Sequence, residues 1–187
     1  MKRVIVTGAT GFIGKALCFR LLEEKYDVVA LSRSKEKGER IFGTDATVVE
    51  WDGKSSEVWQ GYANNAYAVV NLAGENIGSG RWTPKKKQSI LQSRLDAGRA
   101  IVEAAKAVEK KPRVIIQASA IGYYGSRGDE VIDESSSPGD GFLAEVVKKW
   151  EQSTQGADSQ KIRRIIIRSS LVLGKEGGVF LRLVKPF

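Results

Sequence analysis

The chain has 187 residues, 42% of them hydrophobic, which is enough for one domain with a sizeable core. It carries 30 Lys and Arg against 22 Asp and Glu, a formal charge of +8, and it has no histidine. That absence removes the usual general base, the Ser-His-Asp arrangement and most transition-metal sites, so no metal centre is expected.

No apolar stretch approaches the ~20 residues needed to cross a bilayer, and the amino terminus runs directly into a strand pattern. A soluble, cytoplasmic protein with no membrane partner is the expectation. The basic residues are spread along the chain except for Lys85-Lys86-Lys87 and Lys110-Lys111, near the two ends of one helix pattern. They read as solvated termini, and no nucleic-acid partner is expected.

Residues 2–7 form the first strand pattern, and its apolar run Val4-Ile5-Val6 leads straight into Gly8-Ala9-Thr10-Gly11-Phe12-Ile13-Gly14. Gly8 permits the sharp turn, Gly11 lets a pyrophosphate approach the backbone, and Gly14 lets the following helix pack closely on the sheet. Phosphates would then sit at the helix N-terminus, where unpaired N–H groups favour negative charge. Gly8, Thr10, Gly11, Phe12, Ile13 and Gly14 are therefore candidate dinucleotide-binding residues. The helix pattern at 12–25 carries Ala16, Leu17, Leu21 and Leu22 on its apolar side, together with Cys18, the single cysteine, which reads as a core packer.

The second strand, 27–32, ends in Leu31-Ser32-Arg33-Ser34-Lys35. An acidic residue here would hold the ribose 2′-OH of NAD, whereas a basic one suits the 2′-phosphate of NADP. With no carboxylate present, Arg33 offers a planar fork to phosphate and Ser32 and Ser34 are further donors, so the expected cofactor is NADP(H). A short helix at 35–42 and a third strand at 46–50 follow. Asp52 stands where it can accept from an adenine amino group, or it is a plain turn residue.

A short helix at 55–61 and a strand at 66–72 precede the best-defined helix, 84–109. Thr83 is a good N-cap, Pro84 suits the first helical position, and Leu91, Leu95, Gly98, Val102 and Ala105 form one face. Strand 112–118, a helix at 141–157 for which Asp140 is the expected N-cap, and strand 162–168 complete the pattern. Six strands with helices between them imply an α/β fold, a Rossmann-type doubly wound parallel sheet flanked by helices.

The glycine turn, Asn71-Leu72-Ala73-Gly74, Ser119-Ala120-Ile121-Gly122-Tyr123-Tyr124-Gly125 and Arg168-Ser169-Ser170-Leu171-Val172-Leu173-Gly174 together resemble the extended short-chain dehydrogenases/reductases. Asn71 to Ile77, with Arg81-Trp82 and Ser93-Arg94, resembles more specifically their atypical epimerase branch, the SDR39U1 group, and the likeness spans the whole chain. The resemblance implies NADP(H) lying across the carboxyl ends of the strands, over Leu72, Ala73 and Gly74. It implies that Arg94 reaches the ribose or phosphates and that Ser169 and Val172 border the nicotinamide. Core roles for Leu72 and Val172, and a solvated helix role for Arg94, stay open.

Such proteins carry a serine after the fifth strand, then Tyr and Lys at i and i+4 on a helix, the tyrosine transferring the proton. Ser119 fits the first role, but Phe142 and Val146 occupy the other two positions. Lys149, on the Phe142 face, is left to bind a substituent, and Tyr123 and Tyr124 are the remaining phenols, as proton donors or as packing; Glu145 is a further acid.

The family resemblance also implies a substrate domain after the sixth strand, so residues 1–187 are expected to be the NADP(H)-binding part of a longer, two-lobed protein. The expected activity is that of a nucleoside-diphosphate-sugar epimerase or carbonyl oxidoreductase acting on an unidentified small molecule, with a homodimer as one possibility. The alternative is a non-catalytic NADPH-binding regulator acting through a partner.

Overall fold

The structure is a computed structural model that describes residues 1–174 and 177–178. Residues 184–187, where the chain ends, lie outside the described residues. Six strands, β1 (Arg3–Thr7), β2 (Asp27–Ser32), β3 (Thr47–Glu50), β4 (Ala68–Asn71), β5 (Val114–Ala120) and β6 (Arg163–Ser169), form one sheet in the order β3-β2-β1-β4-β5-β6. Every neighbouring pair is parallel. The order reverses between β1 and β4, which opens a crevice at the carboxyl ends of the strands.

Side-chain alternation divides the central strands between two cores. Ile5, Val29, Leu31, Val69 and Ile115 face one layer with Trp59 and the alanines of the long helix; Val4, Val6, Val28, Ala30 and Val70 face the other with Cys18 and Phe42. Both faces of a parallel sheet must be covered, so these strands are apolar throughout. The first layer comprises α3 (Gln60–Ala63), α4 (Pro84–Ala107) and α5 (Phe142–Gln152); the second comprises α1 (Phe12–Glu23) and α2 (Lys35–Phe42). Cys18 is fully buried, and burial pushes its thiol up to about 12, which leaves it an inert packer.

Several sequence expectations need correction. The helix expected at 55–61 is the four-residue α3, because Ser55 and Ser56 are drawn into a turn around Asp52 and Trp59. The helix expected to reach 157 stops at Gln152 and is followed by a 3-10 segment, Gln155–Gln160. Asp140 does not cap α5: the N-cap is Gly141, at φ 93°, with no side-chain cap. On α4 the innermost residues are Ile90, Ala97, Ala100, Ile101 and Ala104, while Leu91 and Leu95 are only half-buried. Small side chains let α4 lie close to the sheet and to α5, where a Cβ on Gly98 would overlap Ser153.

Among the described residues no helix covers β5 and β6 on the α1 side. A groove of ≈ 430 Å³ runs there, lined by Leu17, Leu21, Val70, Ile116 and Ile167, the last 51% exposed. Apolar grooves of this size on a free surface attract apolar partners. The chain is expected to bind an environment-sensitive apolar dye at this face, and Ile167→Lys is expected to abolish most of the fluorescence gain without lowering the unfolding midpoint. An unchanged gain would place the dye elsewhere.

Candidate functional site: a cleft at the carboxyl ends of β1, β2 and β4

A second, polar hollow of ≈ 390 Å³ lies where the strand order reverses. Its floor is laid by a buried chain of polar side chains. Thr7 Oγ1 donates to Asn71 Oδ1 (2.8 Å) and accepts from the backbone N–H groups of Leu72 and Ala73 (3.1 Å each). Asn71 Nδ2 donates in turn to Gln117 Oε1 at 2.9 Å. All three side chains are fully buried, so their mutual bonds are what make burial tolerable. The result fixes Leu72-Ala73-Gly74 beneath the cleft.

The glycine turn forms one wall. Gly8 sits at φ +66°, and a Cβ there would lie 2.9 Å from Leu72 O; a Cβ on Gly14 would lie 2.2 Å from Gly8 O. Gly14 thus serves helix packing, as its spacing predicts. The N-terminus of α1 has no side-chain cap and no acidic residue in its first turn, leaving its N–H donors turned outward for an anion.

Of the expected cofactor residues, Gly8, Thr10, Gly11, Ser32, Arg33, Asp52, Leu72, Ala73 and Gly74 line this cleft. Ser32 Oγ donates to Ser34 O (2.9 Å), and Ser34 caps α2 by accepting from Lys37 N, so Ser34 shapes the loop from outside the cleft. Lys37 and Lys54 join Arg33 in the lining, cations that the sequence pattern did not single out. Asp52 accepts three hydrogen bonds at Oδ1, from Lys54 N, Ser55 N and Ser55 Oγ; these bonds hold its carboxyl below the usual range.

The remaining expected residues lie elsewhere. Ile13, Ser169 and Val172 line the apolar groove, which meets the cleft at Leu72. Phe12 packs against Gly174. Arg94 is neither solvated nor in the cleft lining: Nη1 donates to Glu75 O (3.1 Å) and Ile90 O (2.8 Å), and its guanidinium stands 4.8 Å from the Trp150 ring. It occupies the space a Cβ on Gly74 would need, and burial lowers its pKa from the ordinary arginine value. Arg94 therefore braces the Gly74 backbone.

Three of the four expected catalytic residues, Ser119, Tyr123 and Tyr124, gather around Glu151 and Arg168, and Glu151 is not among the site residues expected from the sequence. Ser119 Oγ donates to Glu151 Oε1 at 2.5 Å, on the α5 side of the sheet. Glu151 is buried and receives Arg168 through Nε (2.8 Å) and Nη2 (3.0 Å). Arg168 Nη1 donates to Tyr124 Oη (2.8 Å) and to Glu134 O (3.1 Å), and the guanidinium lies 3.7 Å from the Tyr123 ring. Glu151 raises the Arg168 pKa still further, so this guanidinium stays charged. Lys149 is outside the cluster: it pairs with Glu145 on the exposed side of α5 (2.6 Å), an ordinary i,i+4 contact. Phe142 packs edge-on against Trp82 at 5.5 Å and under Lys87 at 5.1 Å, and Val146 is buried. The usual Tyr and Lys positions are thus occupied by packing residues.

The segment after β4 is clasped over the cleft. Lys86 Nζ donates to Glu75 Oε1 (2.6 Å) and to Ser79 Oγ (2.7 Å), and this pairing depresses the Glu75 pKa below 4.5. A depressed carboxyl contributes stability above its unfolded pKa and loses it as pH falls through the folded value. Glu75→Gln is therefore expected to lower the stability near neutrality by about 1 kcal/mol, with the difference from the parent closing as pH falls through the depressed folded value of Glu75. A gap independent of pH would show that the clasp does not depend on the charge.

A family model for the NAD dependent epimerase/dehydratase family matches residues 4–179. The chloroplastic SDR39U1 homolog of Arabidopsis thaliana, an epimerase family protein, is 39% identical over 98% of this chain and 52% of its own length. Epimerase family protein YfhF of Bacillus subtilis is 33% identical over 97% of this chain and 58% of its own. The chain thus spans about half the length of the relatives it matches. Among solved structures, human SDR39U1 (isoform 2) with NADPH superposes with a TM-score of 0.78 at 29% identity, over 98% of this chain and 59% of that one. UDP-glucuronic acid 4-epimerase of Bacillus cereus, in complex with UDP-glucuronic acid and NAD, has a TM-score of 0.77 at 21% identity, covering 95% and 59%, a likeness of fold.

Proposed function

The chain belongs to the NAD dependent epimerase/dehydratase family, and from that premise we propose that it is the NADP(H)-binding lobe of an atypical short-chain dehydrogenase/reductase. The observation that carries the reading is the end of β2, where Ser32, Arg33 and Lys37 line the cleft and no carboxylate stands at the ribose position. The uncapped α1 N-terminus would take the pyrophosphate, and Arg33 with Lys37 the 2′-phosphate. The likeness to an SDR39U1 protein with bound NADPH supports the same cofactor.

Bound NADP(H) supplies a hydride donor or acceptor. For proton movement this chain offers Tyr124: its Oη already accepts from Arg168, which leaves its own hydrogen free for another acceptor. Ser119, committed to Glu151, serves to set the end of β5. Redox or epimerase chemistry at a carbonyl or hydroxyl carbon of a small substrate is the activity this arrangement favours.

A second reading rests on the aromatic filling at Phe142 and the surface pairing of Lys149. In it, bound NADPH is a structural or sensing ligand and the protein acts through a partner. Calorimetric titration with NADPH and NADH tests the shared premise, and tighter binding of NADH would overturn it. Turnover of a carbonyl or nucleotide-sugar substrate that falls at least tenfold in Tyr124→Phe would favour the enzyme; failure across such a panel, with NADPH bound, would favour the regulator.

A further inference from the structure

Lys85, Lys86 and Lys87 open α4, and no acidic residue stands in its first turn. Cations are disfavoured at the positive end of a helix dipole, so their placement calls for another use. Two of them reach beyond their own helix. Lys86 Nζ donates to Glu75 Oε1 and to Ser79 Oγ, and Lys87 Nζ stands over the Phe142 ring. Lys85 has no partner among the described residues.

What Lys86 holds is the connection from β4 to α4, which contains no helix or strand between Leu72 and Thr83. Its two ends are fixed. Glu75 N donates to Ser93 Oγ (2.9 Å) and Glu75 O accepts from Arg94, while Thr83 caps α4. Between these ends the hydrogen bonds stay within the segment: Gly78 N to Asn76 Oδ1, Ser79 Oγ to Asn76 O, Trp82 Nε1 to Ile77 O and Thr83 N to Arg81 O. A loop satisfied internally can move as a unit, because its motion breaks no ladder of the sheet. Gly80, at φ +73° with open space where a Cβ would stand, supplies a pivot. Among the described residues two contacts tie the loop down: Lys86 draws Ser79 back toward Glu75, and the Trp82 ring meets Phe142 at 5.5 Å. Ile77 and Trp82 stay exposed, so little apolar burial adds to these ties. Glu75 itself lines the cleft beside Ser93, which puts the start of the loop on the cleft wall.

We propose that residues 76–82 form a strap that opens and closes at the mouth of the cleft, with the Lys86 ammonium as its catch, and that its opening sets how fast the cofactor enters and leaves. The inference rests on the NADP(H) reading above and adds a gate to the same site. Lys86 is not part of the cleft lining. A catch that touches no cofactor alters the barrier to exchange in both directions and leaves the balance between bound and free unchanged.

Stopped-flow fluorescence with NADPH tests the gate. In Lys86→Met the association and dissociation rate constants are both expected to rise about fivefold or more, with the dissociation constant changing by less than about twofold. Lys86→Arg is expected to restore slow exchange, and Lys85→Met to leave the parent rates unchanged. A rise in dissociation alone would make Lys86 a binding contact, and unchanged rates would leave the strap without a gating role; either result overturns the inference while the NADP(H) reading stands. Failure of the parent to bind NADPH would instead overturn that reading and the gate with it. Hydrogen exchange of the ligand-free chain supplies a second readout. The amides of Gly78 and Thr83 are expected to exchange about fivefold faster or more in Lys86→Met while those of β4 keep their parent rates, which also shows that the variant is folded. Equal exchange at Gly78 and Thr83 in parent and variant would show that Lys86 is no catch.

Discussion

Glu151→Ala is expected to cost the fold about 3–5 kcal/mol, the penalty for leaving a buried charge without its partner. The side chains of Arg168 and Glu151 are 18% and 9% exposed. Truncation would leave Arg168 Nε and Nη2 and Ser119 Oγ without their acceptor in one step. Arg168 also holds Tyr124 Oη and Glu134 O, so the segment around residue 134 should loosen with it.

The pH dependence follows from the sign of the Arg168 shift. A pKa raised on folding gives stability that is fully present below the unfolded value and lost only as pH rises toward the folded one. The arginine contribution is therefore constant over roughly pH 6 to 9, and the deficit of the variant should be flat there. Urea unfolding of the parent and variant measures it, and a loss below about 1 kcal/mol would show that the cluster is dispensable. Glu151→Met combined with Arg168→Met should recover much of the loss, since removing both charges restores apolar packing.

This cluster also marks where the sequence stopped being informative. The strands, the glycine turn and the cap at Thr83 depend on neighbours within a few residues, and the pattern of the chain contains them. Ser119 and Glu151 are 32 residues apart, and Thr7 and Asn71 are 64 apart. Nothing in local periodicity says that a glutamate at 151, in a helix with Lys148 and Lys149 beside it, points inward while Glu145 points out. Ser119 was legible as a polar residue at a strand end, but its commitment to Glu151 depends on how α5 is rotated against β5. The same holds for Arg94: the family resemblance implied a contact to the ribose or phosphates, whereas its position opposite Gly74 and Trp150 makes it a brace. For α4, large residues at 91 and 95 suggested the buried face, yet close packing selected the alanines.

Arg33→Ala should separate the two nicotinamide dinucleotides. A charge-assisted bond to phosphate contributes about 1.5–3 kcal/mol, so NADPH affinity is expected to fall roughly 10- to 150-fold. NADH, which has no 2′-phosphate, should change by no more than about twofold, because the rest of the lining is untouched. Lys37→Ala should act in the same direction and more weakly, since an ammonium lacks the planar fork that fits phosphate. Both effects should shrink at high salt, where exposed charges are screened. Arg33 also feels the Glu75 carboxylate, which lies in the same cleft and is held down in pKa partly by it. That neighbour gives the guanidinium a second use. Equal weakening of NADPH and NADH in Arg33→Ala would mean that it steadies the Glu75 segment over the cleft, and the choice between the two cofactors would then rest on Lys37 and Ser32.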